Sequence, residues 1–417
     1  MFARPVTHPR LYPRIALLIL TALNLLNYID RSVLFAVQPL VQSEFHLNDA
    51  QIGRVTTLFF VFYTVAAPLM GPLADRYSRR MVIVLGAFAW SGVTLLTAVT
   101  HSYLALLIRH ALVGVGEASF VTVSPTFVVD LFPEQRRGRV LGVFYLAIPV
   151  GTALRYLIGG YFGTRFGWRA PFYIAGAPGF LLAFIMMFIP EPKRGQFDSL
   201  RDTPERATVL GLVRNPAFWT ATLGMAAMTF SLGGLQVWMP TFLSRVRGYS
   251  LDSANKIFGA IIAFDGIIAS LAGGWLGDRL LKRKKSAYYL VSAVSLAMGV
   301  PAMMMALFTS GSAMLPALLV AAFLVLLNTA PLNAAIINSV GAHIRATAIA
   351  VNLFVIHFLG DALSPWVIGK ISDRSSLQSG FISAVVAIAL SSAILFYGMR
   401  FAPPLRIGEP STASGAG

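Results

Sequence analysis

The sequence predicts an all-α membrane protein with twelve transmembrane helices in two pseudo-symmetric six-helix bundles. Hydrophobic residues make up 56% of the 417 residues and charged residues 12%, whereas soluble globular chains average about 25% charged residues. The hydrophobic residues form runs that reach or approach the ~20 residues needed to cross a bilayer. A charged segment at residues 71–80 returns in similar form at residues 274–283. Internal similarity at about half the chain length is typical of membrane proteins that build two repeats around a central pathway.

Twelve apolar segments are long enough to be spans, so the chain is expected to begin and end on the same side of the membrane. The spans are predicted at 14–42, 50–74, 81–99, 103–131, 139–163, 170–190, 215–243, 253–277, 287–309, 313–341, 347–371 and 378–400. The domains expected from them are an N-terminal bundle at 1–190, a cytoplasmic linker at 191–214 with a short helix near 209–214, a C-terminal bundle at 215–400 and a disordered cytoplasmic tail at 401–417. The first span contains polar and charged residues, which favours a retained span over a cleavable signal peptide.

The distribution of lysine and arginine predicts the orientation. Of the 33 lysines and arginines, 22 fall on the face that carries the termini, eight on the opposite face and three within spans. The positive-inside rule therefore places both termini in the cytoplasm, and it explains the net charge of +16 without nucleic-acid binding. Short tails and the lack of large loops favour a cell (inner) membrane. The chain has no cysteine, which excludes disulfides.

Each copy of the repeated segment contains an aspartate followed by arginine. Asp75 and Asp278 lie 203 positions apart. An aspartate at a helix end can accept backbone N–H groups from a neighbouring helix and pair with arginine. The segment resembles the cytoplasmic loop signature of the major facilitator superfamily, which implies that fold and a latch that closes the cytoplasmic side. The expected latch residues are Asp75, Arg76, Arg79, Arg80, Asp130, Arg136, Asp278 and Arg279, with Glu134 and Arg137 beside them.

Four segments place polar residues inside apolar spans and resemble the Spinster family. They are Asn27-Tyr28-Ile29-Asp30-Arg31 in span one, Gly114-Val115-Gly116-Glu117 in span four, Gly233-Gly234 with Trp238-Met239-Pro240 in span seven, and His357-Phe358-Leu359-Gly360-Asp361 with Ser364-Pro365 in span eleven. The resemblance implies a secondary transporter of lysolipids or sphingosine-phosphate-like molecules. Two positions depart from the family pattern, because His110 stands where the family usually has arginine and Arg155 stands where it tends to glycine.

Four carboxylates lie well within spans, at positions 30, 117, 265 and 361. An ionised carboxylate in hydrocarbon costs ~2.5–3.5 kcal/mol on insertion scales, so each must face a polar interior, pair with a cation or hold a proton. A carboxyl that alternates between pairing and protonation can couple a proton gradient to a conformational change. The predicted proton-coupling or gating residues are Asp30, Glu117, Asp361, His357 and His110. For Asp265, a structural role and a transport role both stay open.

Helical spacing suggests partners for some of these groups. His110 precedes Glu117 by seven positions, so the two share a face of span four. We expect Arg155, on the adjacent span, to neutralise Glu117 or receive an anionic substrate; the alternative is that Arg155 snorkels to the outer interface. Asp30 points ~100° away from its neighbour in sequence and is read as a gating residue or as half of a fixed ion pair with another helix. His357 and Asp361 lie four apart on one face, as a pH-sensitive pair or a buried hydrogen bond.

These features predict a proton-coupled secondary transporter of an amphipathic anionic lipid. The expected substrate-binding residues are Arg31, Arg109, Arg155, Tyr28, Trp238 and Asn333. A transporter of small organic anions is the alternative, while multidrug efflux fits the interior arginines less well. The sequence contains neither an HExxH nor a Gly-x-Ser-x-Gly motif, so nothing in it supports a membrane-embedded enzyme. The duplicated latch argues against a channel. The expected partners are the substrate, protons and membrane lipids, with a monomeric chain and neither a cofactor nor a metal.

Overall fold

The computed structural model describes residues 12–133, 136–195, 209–341 and 344–403, and all regular structure within these ranges is helical. The helices are α1 (Tyr12–Phe45), α2 (Asp49–Arg76), α3 (Arg79–Ala98), α4 (Tyr103–Val129), α5 (Arg137–Tyr145), α6 (Ala147–Phe166), α7 (Ala170–Met186), α8 (Val209–Val213), α9 (Pro216–Arg245), α10 (Leu251–Leu281), α11 (Ala287–Phe308), α12 (Met314–Leu326), α13 (Thr329–Asn338), α14 (Arg345–Ile356), α15 (Ser364–Arg374) and α16 (Leu377–Gly398).

In the part of the chain that the structure describes, the helices make twelve passes, as the sequence predicts. The fifth pass consists of α5 and α6, the tenth of α12 and α13, and the eleventh of α14, a π-helical turn at His357–Asp361, and α15. Within the described ranges, ten helical stretches are long and apolar enough to cross a membrane. The short apolar helix α7 and the 30-residue helix α9 are the remaining two of the twelve passes. We call the face that carries Tyr12 and Pro403 the terminal face and the opposite one the distal face.

Some expectations concern parts of the chain that the structure does not describe. The short helix predicted near 209–214 is present as α8. Most of the predicted linker, at residues 196–208, lies outside the described residues, as do residues 404–417 of the predicted tail and Glu134 of the predicted latch.

Capping residues determine where several passes begin. The side chain of Asn48 accepts a hydrogen bond from the backbone of Gln51, and the Gln51 side chain reciprocates, so α2 starts with a capping box. At the starts of α3 and α10, the side chains of Ser78 and Ser250 each accept one hydrogen bond from the backbone N–H three residues later. These side chains satisfy N–H groups that a helix start leaves free. The passes therefore reverse through short loops at defined residues.

Glycines bring the two halves into close contact at the distal face. A Cβ added to Gly53 of α2 would lie 2.4 Å from the carbonyl oxygen of Pro365 on α15, and one added to Gly369 would lie 2.3 Å from the carbonyl oxygen of Asp49. The α6 and α10 helices pack together through Gly160. Only a residue without a side chain permits such backbone contact.

Polar interactions reinforce this closed distal face. The Asp49 carboxylate, at the start of α2, accepts hydrogen bonds from Arg245 of α9 at 2.8 Å and from Gln42 at 2.7 Å. Ser372 of α15 also donates to it. The backbone N–H of Asp49 in turn donates to Asp373 at 2.7 Å. The contacts with Arg245, Ser372 and Asp373 tie the N-terminal half (α1–α7) to the C-terminal half (α9–α16). The Asp75 side chain on the terminal face, by contrast, is 87% exposed.

The glycine contact at the distal face predicts a specific effect of a single methyl group. Replacing Gly53 with alanine should force α2 and α15 apart and lower stability by about 1–3 kcal/mol, the usual cost of overpacking. Gly71→Ala is the matched control in the same helix, because its added Cβ would meet nothing within 4 Å. That control should be neutral or stabilising by up to about 1 kcal/mol. Thermal unfolding in detergent measures both; equal midpoints would contradict the close packing.

Candidate functional site

An ion pair between α1 and α4 lies at the centre of the N-terminal half. The Nε of Arg31 donates to Oε2 of Glu117 at 3.0 Å, and the two side chains are 9% and 0% exposed. One guanidinium nitrogen of Arg31 (Nη2) and the second carboxylate oxygen of Glu117 (Oε1) have no hydrogen-bond partner. The pair therefore keeps unused donor and acceptor capacity in a buried place.

Two glycines explain why Glu117 sits so deep. A Cβ added to Gly114 would lie 2.5 Å from the carbonyl oxygen of Phe59, and one added to Gly116 would lie 2.8 Å from the backbone nitrogen of Trp90. The Gly-x-Gly segment therefore lets α4 pack directly against the backbones of α2 and α3. This packing fixes the rotation of α4 and directs Glu117 toward α1.

Aromatic rings surround the Arg31 guanidinium. Its central carbon lies 4.5 Å from the ring centre of Tyr63, 5.2 Å from that of Tyr28 and 5.7 Å from that of Phe59. Cation–π attraction holds the charge where water is scarce and is worth about 2 kcal/mol when the groups are desolvated. A guanidinium surrounded by aromatic rings is chemically suited to a group that is both anionic and partly apolar.

Asp30, beside Arg31 in sequence, points elsewhere. It is buried, and it accepts a hydrogen bond from Thr94 of α3 at 2.6 Å. Within the described residues, the structure gives Asp30 no ion pair, which corrects the alternative that it belongs to a fixed ion pair with a neighbouring helix. Its hydroxyl partner leaves it free to exist as a neutral acid or as a carboxylate.

His357 and Asp361 occupy the π-helical turn of the eleventh pass. Nδ1 of His357 lies 2.7 Å from Oδ2 of Asp361. The His357 ring packs edge-on against Tyr63 of α2, with ring centres 5.7 Å apart. Because Tyr63 also lies over Arg31, one aromatic ring contacts both the Arg31–Glu117 pair of the N-terminal half and the His357–Asp361 pair of the C-terminal half. The Cβ position of Gly233 lies 2.8 Å from Asp361, so this glycine admits the carboxylate beside α9.

Comparison with known proteins identifies the family. The Major Facilitator Superfamily matches residues 20–365. Protein spinster homolog 1 of Xenopus laevis is 34% identical over 389 residues, which cover 88% of this chain and 74% of that protein. The chain belongs to the Spinster family of the Major Facilitator Superfamily. The resemblance predicted from the sequence is thereby confirmed, and the chain is a membrane transporter and not an enzyme.

Two further relatives extend the comparison. The sphingosine-1-phosphate transporter SPNS2 of Danio rerio is 33% identical over 416 residues, which cover 94% of this chain and 81% of that protein. The crystal structure of a bacterial homolog of the human lysosomal transporter Spinster, in an inward-facing and unoccupied conformation, matches with a TM-score of 0.86 and 25% identity. The match covers 96% of this chain and 98% of that one.

The partner expected for Glu117 in this Spinster chain was wrong. Arg155 does not neutralise Glu117, because Arg31 occupies that place. Arg155 is buried between α6 and α9, where it donates to the side chain of Gln236 at 2.8 Å and to Tyr156 at 3.0 Å. It does not snorkel, since the residue is 3% exposed.

Other expected site residues lie apart from the Spinster ion pair. Arg109 donates to Thr100 at 2.7 Å and to the carbonyl oxygen of Leu96, so it caps the distal end of α3 instead of facing the centre. Trp238, expected to bind substrate, is fully buried and donates to the carbonyl oxygen of Pro365 at 3.0 Å, so its polar atom is already used in packing α9 against α15. Asn333 is exposed on α13, where its amide bonds to its own helix.

His110 is buried, but its Nε2 atom has no hydrogen-bond partner. Its ring centre lies 5.4 Å from that of Phe59, which also contacts Arg31. The residue thus packs in the aromatic wall of the site, and the structure shows no hydrogen bond from it to Glu117 on the same helix.

The expected latch residues divide into separate groups on the terminal face. Arg79 donates to Asp130 at 2.6 Å and to Glu191 at 3.4 Å, all within the N-terminal half. In the C-terminal half, Asp278 accepts from Tyr288 at 2.7 Å. Among the described residues, the following contacts of the other members also stay within one half. Arg80 donates to the carbonyl oxygen of Ile189, Arg76 packs beside Tyr77, and Arg279 packs over Trp275. Arg136 is exposed next to α5.

Sequence reasoning missed the partners that hold the N-terminal latch group. Glu191 accepts hydrogen bonds from Ser78 and from the backbone of Arg79 and Arg80. Burial works against its ionisation, but these hydrogen bonds outweigh burial and hold the pKa of the Glu191 carboxyl below its ordinary value. Arg194 donates to the backbone of Asp75 at 2.8 Å. The polar stretch directly after span six was the available signal.

Sequence reasoning also missed the distal ion pairs. Asp49 is the first residue of α2 and Asp252 the second residue of α10, the second pass of each half, and each carboxylate lies near an arginine of the opposite half. Arg245 is 2.8 Å from Asp49, and Arg165 is 3.7 Å from Asp252. The sequence similarity around the two aspartates was visible, but helix capping explains an aspartate there equally well.

The buried ion pair predicts a non-additive pair of substitutions. Glu117→Leu alone should destabilise the protein by about 3–5 kcal/mol, because it leaves the Arg31 charge buried without an anion. Adding Arg31→Met should recover most of that loss, since replacing a whole buried pair by apolar groups is often neutral. Chemical unfolding in detergent measures both variants.

The same double variant should be inactive in transport although it is stably folded. A double variant that is no more stable than Glu117→Leu would contradict the interpretation of the two residues as a coupled pair.

Proposed function

We propose that this Spinster transporter moves an amphipathic anionic lipid, such as a lysophospholipid or a sphingosine-phosphate-like molecule, by proton-coupled alternating access. The observation that carries the proposal is the buried Arg31 guanidinium, which keeps an unpartnered donor inside a ring of aromatic side chains. A phosphate group with an attached chain matches both features, because the guanidinium binds phosphate through paired donors and the rings accept apolar surface.

Competition for Arg31 supplies a physical route to coupling. Glu117 and an anionic head group would both require the same guanidinium. When the substrate binds Arg31, the displaced Glu117 carboxylate is left buried, and protonation relieves the cost. When the substrate leaves, Arg31 and Glu117 pair again and the proton is released. Asp30 would exchange a second proton next to the pair, with Thr94 as its hydrogen-bond partner in either form.

The contacts between the halves support the alternating part of the proposal. The structure is joined at the distal face by Asp49 and Arg245, whereas Arg79 and Asp278 of the terminal face have partners in their own halves. We infer that the terminal face is cytoplasmic and that this is an inward-facing state. Opening the distal face would require the Asp49 contacts to break and the latch groups around Asp75 and Asp278 to meet.

The relatives support the substrate class. One of them is named a sphingosine-1-phosphate transporter, and it aligns over 94% of this chain. Its name describes that protein, and a lipid cargo for this chain is our proposal. We place the chain in a cell (inner) membrane as a monomer with two six-helix bundles at 1–190 and 215–400.

Transport by the purified protein in liposomes tests the substrate and the coupling together. We expect an imposed pH gradient to drive movement of a labelled lysophospholipid, and collapse of the gradient with a protonophore to reduce it about tenfold or more. A labelled small carboxylate, offered in parallel, should move little. Movement of the carboxylate alone would contradict the lipid assignment, and movement that ignores the gradient would contradict proton coupling.

Two matched variants distinguish a specific loss of Arg31 function from general damage to the protein. Arg31→Lys keeps the charge but loses the planar paired donors, so it should reduce lipid transport substantially. Glu44→Gln removes a carboxylate from a more exposed ion pair with Arg169 inside one half, and it should transport normally. Equal activity of the two variants would contradict the role of Arg31.

A further inference from the structure

A second buried acid lies outside the ion pair described above. Asp265, in the middle of α10, has no exposed surface, and neither of its carboxylate oxygens has a hydrogen-bond partner. An ionised carboxylate without a partner is expensive to bury in a membrane-spanning helix. The physical argument therefore makes Asp265 a neutral carboxylic acid in this conformation.

A buried cation without an acidic partner lies on the neighbouring helix. Within the described residues Arg155 forms no ion pair, because its hydrogen bonds go to the neutral side chains of Gln236 and Tyr156. Its Nε atom has no partner, and its guanidinium lies 5.3 Å from the ring centre of Phe35. The cation of α6 and the acid of α10 each lack what the other supplies.

The packing of α6 against α10 sets the distance between the two groups along the helices. Gly160 lies against Asn255, and Tyr156 lies against Gly259, so the helices are antiparallel with a defined register. In that register Arg155 is level with position 260. At 1.5 Å per residue, Asp265 is about 7.5 Å closer to the terminal face.

Tyr156 connects the Arg155 guanidinium to the face of α10 that carries Asp265. The ring of Phe258 packs edge-on against that of Tyr156, with centres 5.3 Å apart. Asp265 follows Phe258 by seven positions and so lies on nearly the same face of α10. Tyr156 bonds to Arg155 through its hydroxyl group. Drawing the terminal parts of α6 and α10 together would shorten the distance between the acid and the cation.

We propose that Asp265 is a proton-binding site of the C-terminal half, whose carboxylate pairs with Arg155 when the halves open at the distal face. Opening would separate Arg155 from Gln236 and draw the terminal parts of α6 and α10 together. The O–H bond of Asp265 then breaks, its electrons stay on the carboxylate, and the proton passes to water. The inference rests on the proposed alternating access, and it adds a proton site to those at Asp30 and Glu117.

Few other titratable groups lie near Asp265. On the helices packed against α10, and on α10 itself, the titratable or charged side chains are Arg155, Tyr156, Tyr161 and Arg165 of α6, Arg245 of α9, Tyr288 and Tyr289 of α11, and Asp252, Lys256, Asp278 and Arg279 of α10; α12 and α13 contribute none. All except Arg155 and Tyr156 lie toward the helix ends. Arg155 is therefore the cation that can serve Asp265.

The absence of native cysteine makes the conformational test direct. Spin labels on Tyr77→Cys and Lys284→Cys report the separation of the halves at the terminal face, where both positions are exposed. The background is the doubly labelled protein without further substitution, measured with no substrate present. Raising the pH should increase the fraction of this protein that is closed at the terminal face. Asp265→Asn mimics the protonated acid and cannot form the ion pair with Arg155. At high pH it should therefore lower the ratio of terminal-closed to terminal-open protein about tenfold.

A second background tests whether the effect passes through Arg155. Asp265→Asn should have little further effect in an Arg155→Gln protein, whereas a merely structural role would give the same effect in both backgrounds. Arg155→Lys should keep the pH response that Arg155→Gln loses, which tests the proposal even if the Asp265 variant does not fold. Glu44→Gln is the control and should leave the response unchanged.

The outcomes distinguish this inference from the proposed function. A background protein whose label distance never changes with pH would contradict the proposed proton-coupled alternating access itself. A background that responds normally, combined with an Asp265→Asn protein that responds identically, would overturn only the assignment of Asp265.

Discussion

The cost of burying charge in a membrane organises this protein more than any other constraint. Arg31 and Glu117 satisfy each other across α1 and α4, but the pair leaves one donor and one acceptor unused. A fully satisfied pair would be inert, and a missing partner would destabilise the fold by several kcal/mol. A pair that is only partly satisfied, like Arg31 with Glu117, suits a transporter, because a substrate or a proton can replace one partner at modest cost in free energy.

The same constraint applies where the halves meet. Asp49, Arg245 and Gln42 form a compact network at the distal face, and glycines let the helix backbones touch beside it. On the terminal face, Arg79 and Asp278 have partners within their own halves. A transporter needs such partners to be exchangeable. The interactions that break when it leaves one state must be similar in free energy to those that form in the other state, because otherwise one state would not be populated.

The sequence predicts the fold and the buried charged residues of spans one and four, but it predicts neither which residues pair nor which of the other expected site residues lie beside them. Repeated aspartate–arginine segments and long apolar runs are local patterns, so the twelve passes and the family follow from them. The partner of Glu117 depends on how far α4 rotates, and that rotation is set by contacts of Gly114 and Gly116 with the backbones of other helices. Arg31 and Arg155 are equally good cations in sequence, and only packing decides between them. The π-helical turn at His357–Asp361 is likewise a product of tertiary contacts with α9.

Reversible locking of the distal face tests the central claim most directly. Arg165→Cys and Asp252→Cys place thiols on opposite halves, where the native side chains lie 3.7 Å apart, and a short reducible cross-linker can join them. The control link, Glu44→Cys with Arg169→Cys, lies within one half. If the halves must separate at the distal face in every cycle, lipid transport should stop in the cross-linked protein and return on reduction, while the control stays active. Undiminished transport by the fully cross-linked protein would contradict the account.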